Sequence, residues 1–344
     1  MAKSLDIGLM MPYSSIYPMG KLFKNGLIEI LDHHKDEIDY TLHQEFVGPA
    51  SIEEVNKADD KHASYNDVDI VSGIVNSRTV AEASASFKKG TQYHFANLGE
   101  HLYDQKRLPD HVAIESRSIW KEVYALTNYA YNSISKNGAY AASFYDTGYA
   151  YAQMVDVALK DNGKKDFLPV LVSQIPPPGQ PSNVEEVVDR IERLMPDWIF
   201  AAFCGSEATR FLKAFYKKGL HKKIKLLGLS FFSEKLLELD TDEVAVLSVL
   251  ETTEDSLDIS EYNKNHFYNL GRNSARSILL QNGIESQNQK TGIGKSIFSC
   301  KMKDAGGLYL EKVQSAKQIK MNNKHIQEIL KQPASVWQNP YMCI

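Results

Sequence analysis

The sequence predicts an α/β protein built from two doubly wound parallel sheets. Three observations carry that expectation. Short apolar runs rich in β-formers alternate with helical stretches, the rhythm of a parallel sheet with helices on both faces. The rhythm runs through four strand–helix units, breaks once, and runs through about four more. The chain has 344 residues, 43% of them hydrophobic, enough to fill two cores rather than one.

The first run opens with a buried strand at 5–11, read as Leu5-Asp6-Ile7-Gly8-Leu9-Met10-Met11. A helix over 20–34 follows, because Leu22, Phe23, Leu27, Ile30 and Leu31 recur at helical spacing. Strands are expected at 40–46, 68–72 and 92–96, with helices at 52–65 and 79–89 between them. The pattern breaks at 108–118, where Pro109 and several charges interrupt it, and a helix from 119 to 136 restarts it. In the second run, strands are expected at 139–145, 168–173, 198–203, 224–229 and 244–250. The intervening helices are 149–162, 184–194 and 207–218. A long helix at 260–281, strands at 297–302 and 308–313 joined by a turn-rich link, and a tail with one short helix complete the chain.

Composition excludes several classes of function. A formal net charge of −4 leaves no basic surplus for nucleic acid. No apolar stretch approaches the roughly 20 residues that span a bilayer. Cys204, Cys300 and Cys343 form no CxxC motif. The odd count leaves one thiol outside any internal bridge. Cys204–Cys300 and Cys300–Cys343 are the pairings considered, and small buried hydrophobes are the simpler reading. The loop after the first strand lacks GxGxxG. The string Gly292-Ile293-Gly294-Lys295-Ser296 lacks the upstream glycine of a phosphate loop, because Gln289 stands there. No GxSxG elbow occurs. The histidines are scattered, and His33 and His34, adjacent on a helix, point in different directions. No catalytic residue, metal set or cofactor is therefore expected.

What remains lies at the carboxyl ends of the strands, where doubly wound sheets bind ligands beside helix N-termini. After the third strand come Ser77 and Arg78. Ser77 either caps the next helix or donates to a ligand oxygen, and Arg78 is a charge partner or points outward. After the fourth strand come Ala96, Asn97 and Leu98, in a loop expected to offer free N–H groups. Rings collect at equivalent places: Tyr13 and Tyr17 after the first strand, Trp120 after the break, Tyr149 after the first strand of the second run, and Phe231 and Phe232 after 224–229. Gly205, after strand 198–203, completes the candidate ligand-binding set. Apolar walls with a few placed polar groups are what a small-molecule site requires.

Taken together, several pieces resemble the type I periplasmic binding proteins, and within them the leucine/isoleucine/valine-binding branch that serves ABC transporters. They are Asp6-Ile7-Gly8-Leu9-Met10-Met11-Pro12 with Gly20 and Asn25-Gly26, Val71-Ser72-Gly73, Tyr145-Asp146 with Tyr149, and Pro196-Asp197-Trp198-Ile199-Phe200 with Phe211-Leu212-Lys213. The resemblance spans almost the whole chain. It implies two lobes joined by three hinge crossovers, near 116–120, 250–255 and 303–307. Lobe 1 would hold 1–117 plus 252–303, and lobe 2 would hold 118–251 plus 304–344, with the ligand cleft between them.

The implied function is an extracytoplasmic solute-binding protein, not an enzyme, that closes around a small organic ligand and delivers it to an ABC-transporter permease. The ligand would be amino-acid-like, a carboxylate or an aromatic acid. Membrane contact would come only through the permease or a removed anchor. The location would be periplasmic with its leader removed, or cytoplasmic for the alternative reading, a ligand-sensing regulator of the same fold, cytoplasmic or membrane-associated. In amino-acid-binding relatives, a hydroxyl after the third strand and another after the fourth hold the ligand carboxylate. Ser77 matches the first, while 96–98 lacks the second. The acid that pairs with a ligand ammonium is also missing, since 230–233 reads Ser-Phe-Phe-Ser. The resemblance thus points to a ligand without a free α-amino group.

Overall fold

The computed structural model describes residues 2–14, 16–104, 106, 108–177, 182–285, 294–303, 307–315, 321 and 323–330. Among them, 2–118 with 264–285 form one compact unit, and 119–263 with 294–330 form another.

The first unit opens with β1 (Lys3–Met11), α1 (Met19–His33), β2 (Ile38–Phe46) and α2 (Ile52–Asp59). It continues with β3 (Ile70–Ile74), α3 (Ser77–Ala83), β4 (Gln92–Asn97) and β5 (Val112–Ser116). The sheet is parallel throughout, in the order β2-β1-β3-β4-β5. Two elements differ from expectation. The stretch 108–118, read as a break, supplies a fifth strand, β5, paired with β4 from Tyr93↔Val112 to Asn97↔Ser116. Its short, half-exposed run Val-Ala-Ile-Glu-Ser is an edge strand with neither alternation nor a solid apolar run to mark it. The helix expected over 52–65 is α-helical only to Asp59 and then widens into a π turn over Asp60–Tyr65.

That π turn drops His62 against Gly8 of β1, where any Cβ would lie 2.6 Å from the imidazole. Beside it, buried Asp59 accepts a 2.8 Å hydrogen bond from the Tyr93 hydroxyl. Burial outweighs that bond and raises the Asp59 carboxyl from 3.8 to about 6. The folded state therefore holds the proton more tightly than the unfolded chain, and stability falls as pH rises from about 4 to about 6. Asp59→Asn keeps an acceptor for Tyr93 and is expected to add about 2 kcal/mol at neutral pH, removing that slope. Urea titrations at pH 4 and 7 check it: an equal slope in both proteins would refute the assignment.

The second unit begins with α4 (Trp120–Ser133), β6 (Gly138–Ala142), α5 (Tyr151–Asp161), β7 (Val170–Val172), α6 (Val184–Leu194), β8 (Trp198–Ala202) and α7 (Gly205–Lys217). Then come β9 (Lys225–Leu227), the single turn α8 (Ser230–Ser233), β10 (Ala245–Leu250) and β11 (Ser256–Leu257). After α9 (Ile259–Gln281) follow β12 (Ser296–Lys303), β13 (Gly307–Ser315) and α10 (Asn323–Leu330). The strand order is β11-β13-β12-β10-β9-β8-β6-β7. From β7 to β10 the sheet is parallel, as expected. Beyond β10 it is antiparallel, a departure from a purely parallel lobe. β12 and β13 form a hairpin-like pair that continues the sheet because β10 otherwise leaves an unpaired edge. The core beneath includes Phe203 stacked on Phe211 at 4.6 Å, with Phe215, Val188 and Ile191.

This pairing decides the unit boundaries. The chain first passes from one unit to the other at 118/119. The segment 252–303, expected to go with the first lobe as a block, is divided. Residues 264–285 go with the first unit, and β11 and β12 go with the second, because their backbone N–H and C=O groups are paired there. The second boundary falls inside α9 at 263/264, and the third lies outside the described residues, between 285 and 294. The expected third crossover near 303–307 lies partly outside the described residues, as do the tail beyond 330 and Cys343. Cys300 is a free, buried thiol whose pKa burial raises to about 12, so neither pairing considered for it forms.

Candidate functional site

Within each unit, the functional candidates sit where parallel strands end and helices begin. In the first unit, β3 ends at Ile74, and Val75 N–H bonds Ala96 O, so the loops after β3 and β4 are tied together. Asn76, not Ser77, caps α3: its Oδ1 accepts from the N–H groups of Arg78 at 3.1 Å and Thr79 at 2.9 Å. The capping half of the Ser77 expectation is thereby corrected. Ser77 is the first helical residue, 1% exposed, and its Oγ receives 3.0 Å donation from Asn97 Nδ2. Asn97 also donates to Val75 O at 3.1 Å, and its Oδ1 is buried with no hydrogen bond. Arg78 is half-buried, and its Nε donates to Glu82 Oε1 at 3.0 Å, a helical i,i+4 pair.

The loop after β4 departs from expectation in a second way. Gly99 has φ +85°, and a Cβ there would lie 2.5 Å from Ser118 Cα and from Ser116 Oγ. Only glycine allows that turn and that approach. The turn buries the next side chain. Glu100 is 4% exposed, neither of its oxygens makes a hydrogen bond, and burial lifts its carboxyl from 4.5 to about 7. The N–H groups of 98–100 lie near that carboxylate and partly oppose the shift. Neighbouring His101 is held down to about 4, by burial first and then by the charge of Arg78. Ala96 and Leu98 are buried at 0% and 6%.

The loop after β1 is different in character. Tyr13 is 70% exposed, and its N–H bonds Gly48 O at 2.8 Å. Ser14 Oγ accepts from the N–H groups of Ile16 and Tyr17, closing a turn before α1. The Tyr17 ring lies 5.7 Å from that of Phe267 on α9. Tyr13, Tyr17 and the exposed ring of Phe46 border a groove of about 510 Å³, bounded by Lys21, Lys24 and Gln44.

In the second unit, Tyr149 follows β6, is 7% exposed and lies 5.2 Å from the Tyr151 ring. Gly205 opens α7 with φ +54°, a left-handed conformation suited to glycine. Trp120 opens α4, half-buried, with Lys121 Nζ 5.2 Å from its ring. Phe231 is half-buried. Phe232 departs from the expected binding role: it is 1% exposed, presses on Gly228 and Phe211, and belongs to the core.

Sequence reasoning missed the buried acids here. Asp146, after β6, is 4% exposed, and Glu207 stands in the first turn of α7. Asp146 is raised well above its usual range by burial and then by the Glu207 charge. Glu207 is raised by burial, while Ser143 and Arg210 oppose the rise. Ser182 Oγ also donates to Glu207 Oε1. Both acids are thus biased toward the neutral form. The signal was an acid beside a strand-end ring, but burial cannot be read from that position. Among the described residues, no group of three or more His, Cys, Asp and Glu side chains is placed to hold a metal.

The model of the periplasmic binding protein family matches residues 62–266. The chain belongs to the periplasmic binding protein family. No curated protein sequence matches it significantly. Solved structures share this periplasmic binding protein's fold at low identity. One is a solute-binding protein of an ABC transporter from Rhodopseudomonas palustris BisB5 in complex with 3,4-dihydroxybenzoic acid. It has 15% identity and a TM-score of 0.65, over 93% of this chain and 99% of that one. A substrate-binding protein from Sphaerobacter thermophilus shows 16% identity and a TM-score of 0.69, over 91% and 98%. Another R. palustris solute-binding protein, in complex with 4-hydroxybenzoate, shows 14% and 0.66, over 91% and 97%. Among the described residues, no helix of this periplasmic binding protein is long and apolar enough to cross a membrane.

Proposed function

We propose that this periplasmic binding protein is the extracytoplasmic receptor of an ABC transporter, that it carries a small aromatic acid to a permease, and that it performs no chemistry on it. The family match over 62–266 carries the transport reading. The ligand class has separate support. Two structurally similar proteins hold hydroxybenzoates. The stretch 230–233 offers no acid to a ligand ammonium. Burial raises both Asp146 and Glu207 above the ordinary carboxylate range. A solute without an α-amino group therefore fits better than leucine, isoleucine or valine.

Thermal-shift measurements with benzoate, 4-hydroxybenzoate, 3,4-dihydroxybenzoate, leucine and valine test the reading. A binding acid at 100 times its Kd should stabilise the folded protein by about 2.7 kcal/mol. Stabilisation by leucine or valine alone would overturn the ligand class.

A further inference from the structure

We propose that the acid group of the solute is held in the first unit by Lys21 and Lys24, in the groove behind β1, and not by the hydroxyl of Ser77. The proposal rests on the aromatic-acid reading and gives that solute a place. Ser77 is buried, and its Oγ is already engaged by Asn97. The loop after β4 is closed as well, with Ala96, Asn97, Leu98 and Glu100 all buried. Those two loops therefore have little left to offer a carboxylate.

The groove has what they lack. Lys21 and Lys24 are three residues apart on α1 and so share one face of the helix. No acidic residue lines the groove, and among the described residues neither lysine is paired with an acid. Lys24 Nζ donates only to the neutral Gln44 Oε1, at 3.1 Å. Elsewhere in this unit, lysines do find acids: Lys61 pairs with Glu45 and Lys88 with Asp67. Two cations without a counter-ion, in a concavity, are complementary to an anion.

The walls complete the match. Tyr13 and Phe46 expose 70% and 76% of their surface into or beside this space, and Tyr17 borders it. Two large exposed rings lining one concavity make a contiguous apolar patch, the kind of surface that marks a binding site. A volume of about 510 Å³ is in the range of small-molecule sites. Rings on the walls, two uncompensated ammonium groups and an amide at the rim fit a small monoanionic aromatic acid, ring against the tyrosines and carboxylate toward the lysines.

The test uses the intact protein, with benzoate, 4-hydroxybenzoate and neutral benzamide as probes. Calorimetry reads affinity, and amine acylation followed by mass spectrometry reads place. The acids are expected to bind and to shield Lys21 and Lys24 from acylation, with benzamide at least about 10-fold weaker. The double variant Lys21→Gln, Lys24→Gln should lose at least about 10-fold in acid affinity while its melting temperature and benzamide affinity stay as in the wild type. Acid binding that leaves both lysines reactive and survives the double substitution overturns the groove assignment and leaves the aromatic-acid reading intact. Failure of every acid to bind the wild type overturns both. Shielding by an acidic peptide such as Glu-Phe-Glu, but by none of the small acids, would make the groove a protein-docking surface and overturn the proposal.

Discussion

Gly271→Ala is expected to destabilise the first unit by roughly 3 kcal/mol or more, lowering its melting temperature by about 6–12 °C. In an ordinary helix the same change stabilises by about 0.5–1 kcal/mol, so the sign alone is diagnostic. The reason is the crossing of α1 and α9. A Cβ on Gly271 would lie 1.9 Å from Phe23 O and 2.9 Å from Leu27 N, and one on Gly26 would lie 2.0 Å from Tyr268 O. Backbone atoms, unlike a flexible side-chain tip, cannot step aside, so the helices must separate. Separation loosens Phe23 and Leu27, both fully buried, and strains the Tyr268 hydroxyl's bond to Glu29 and the Ser72–Ser274 hydroxyl pair. Gly26→Ala should behave alike, and Asn265→Ala on the exposed face of α9 should not. Calorimetric melts of the three variants decide it: a Gly271→Ala protein as stable as Asn265→Ala would show that the helices do not cross this closely.

The second large effect is electrostatic. Glu100 is buried without a hydrogen bond, and its carboxyl titrates near pH 7 instead of 4.5. Because the folded pKa is the higher one, the unfavourable charge is absent below about pH 4.5 and grows until about pH 7. Stability declines across that window and then levels off. A shift of that size is worth roughly 3 kcal/mol. Glu100→Gln should flatten the decline and leave the variant more stable than wild type by roughly 2–3 kcal/mol at pH 8, with little difference at pH 4.5. Denaturant titrations at those two pH values test it. Parallel stability curves for the two proteins would mean that Glu100 reaches water. Its neighbour Gly99 packs on Ser116 and Ser118, so the titration would be felt where the chain leaves the first unit.

Much of the fold was legible because its elements state their periodicity. β1 ends in the buried run Ile7-Gly8-Leu9-Met10-Met11, and α1 spaces Phe23, Leu27, Ile30 and Leu31 at helical intervals, all of them buried. β8 reads Trp-Ile-Phe-Ala-Ala and is buried at every position. The same logic placed Ser77, Asn97, Tyr149 and Gly205 at strand ends, where the structure has them. It failed where an element's identity depends on its neighbour. β5 is a strand only because β4 offers an edge. β12 looks the same in sequence whichever unit it joins, and the free edge of β10 decides.

The candidate site divides along the same line. Residue type told where rings and hydroxyls would be, and type alone could not tell what they touch. Phe231 and Phe232 are identical in sequence terms, yet one is half-buried and the other fills the core beside Phe211. Glu100, Asp146 and Glu207 carry no mark of burial in the sequence, yet the structure buries Glu100 and Asp146 and raises all three carboxyls. By itself the sequence determined the alternation of strands and helices and the family to which the chain belongs, because periodicity and motif order are local and survive without a partner. Only the tertiary structure decided which strands share a sheet, which helices touch through glycine, which acids are buried and which lysines stand without an acid partner among the described residues. Burial and pairing are properties of contacts between residues far apart in the chain, and no local pattern encodes them.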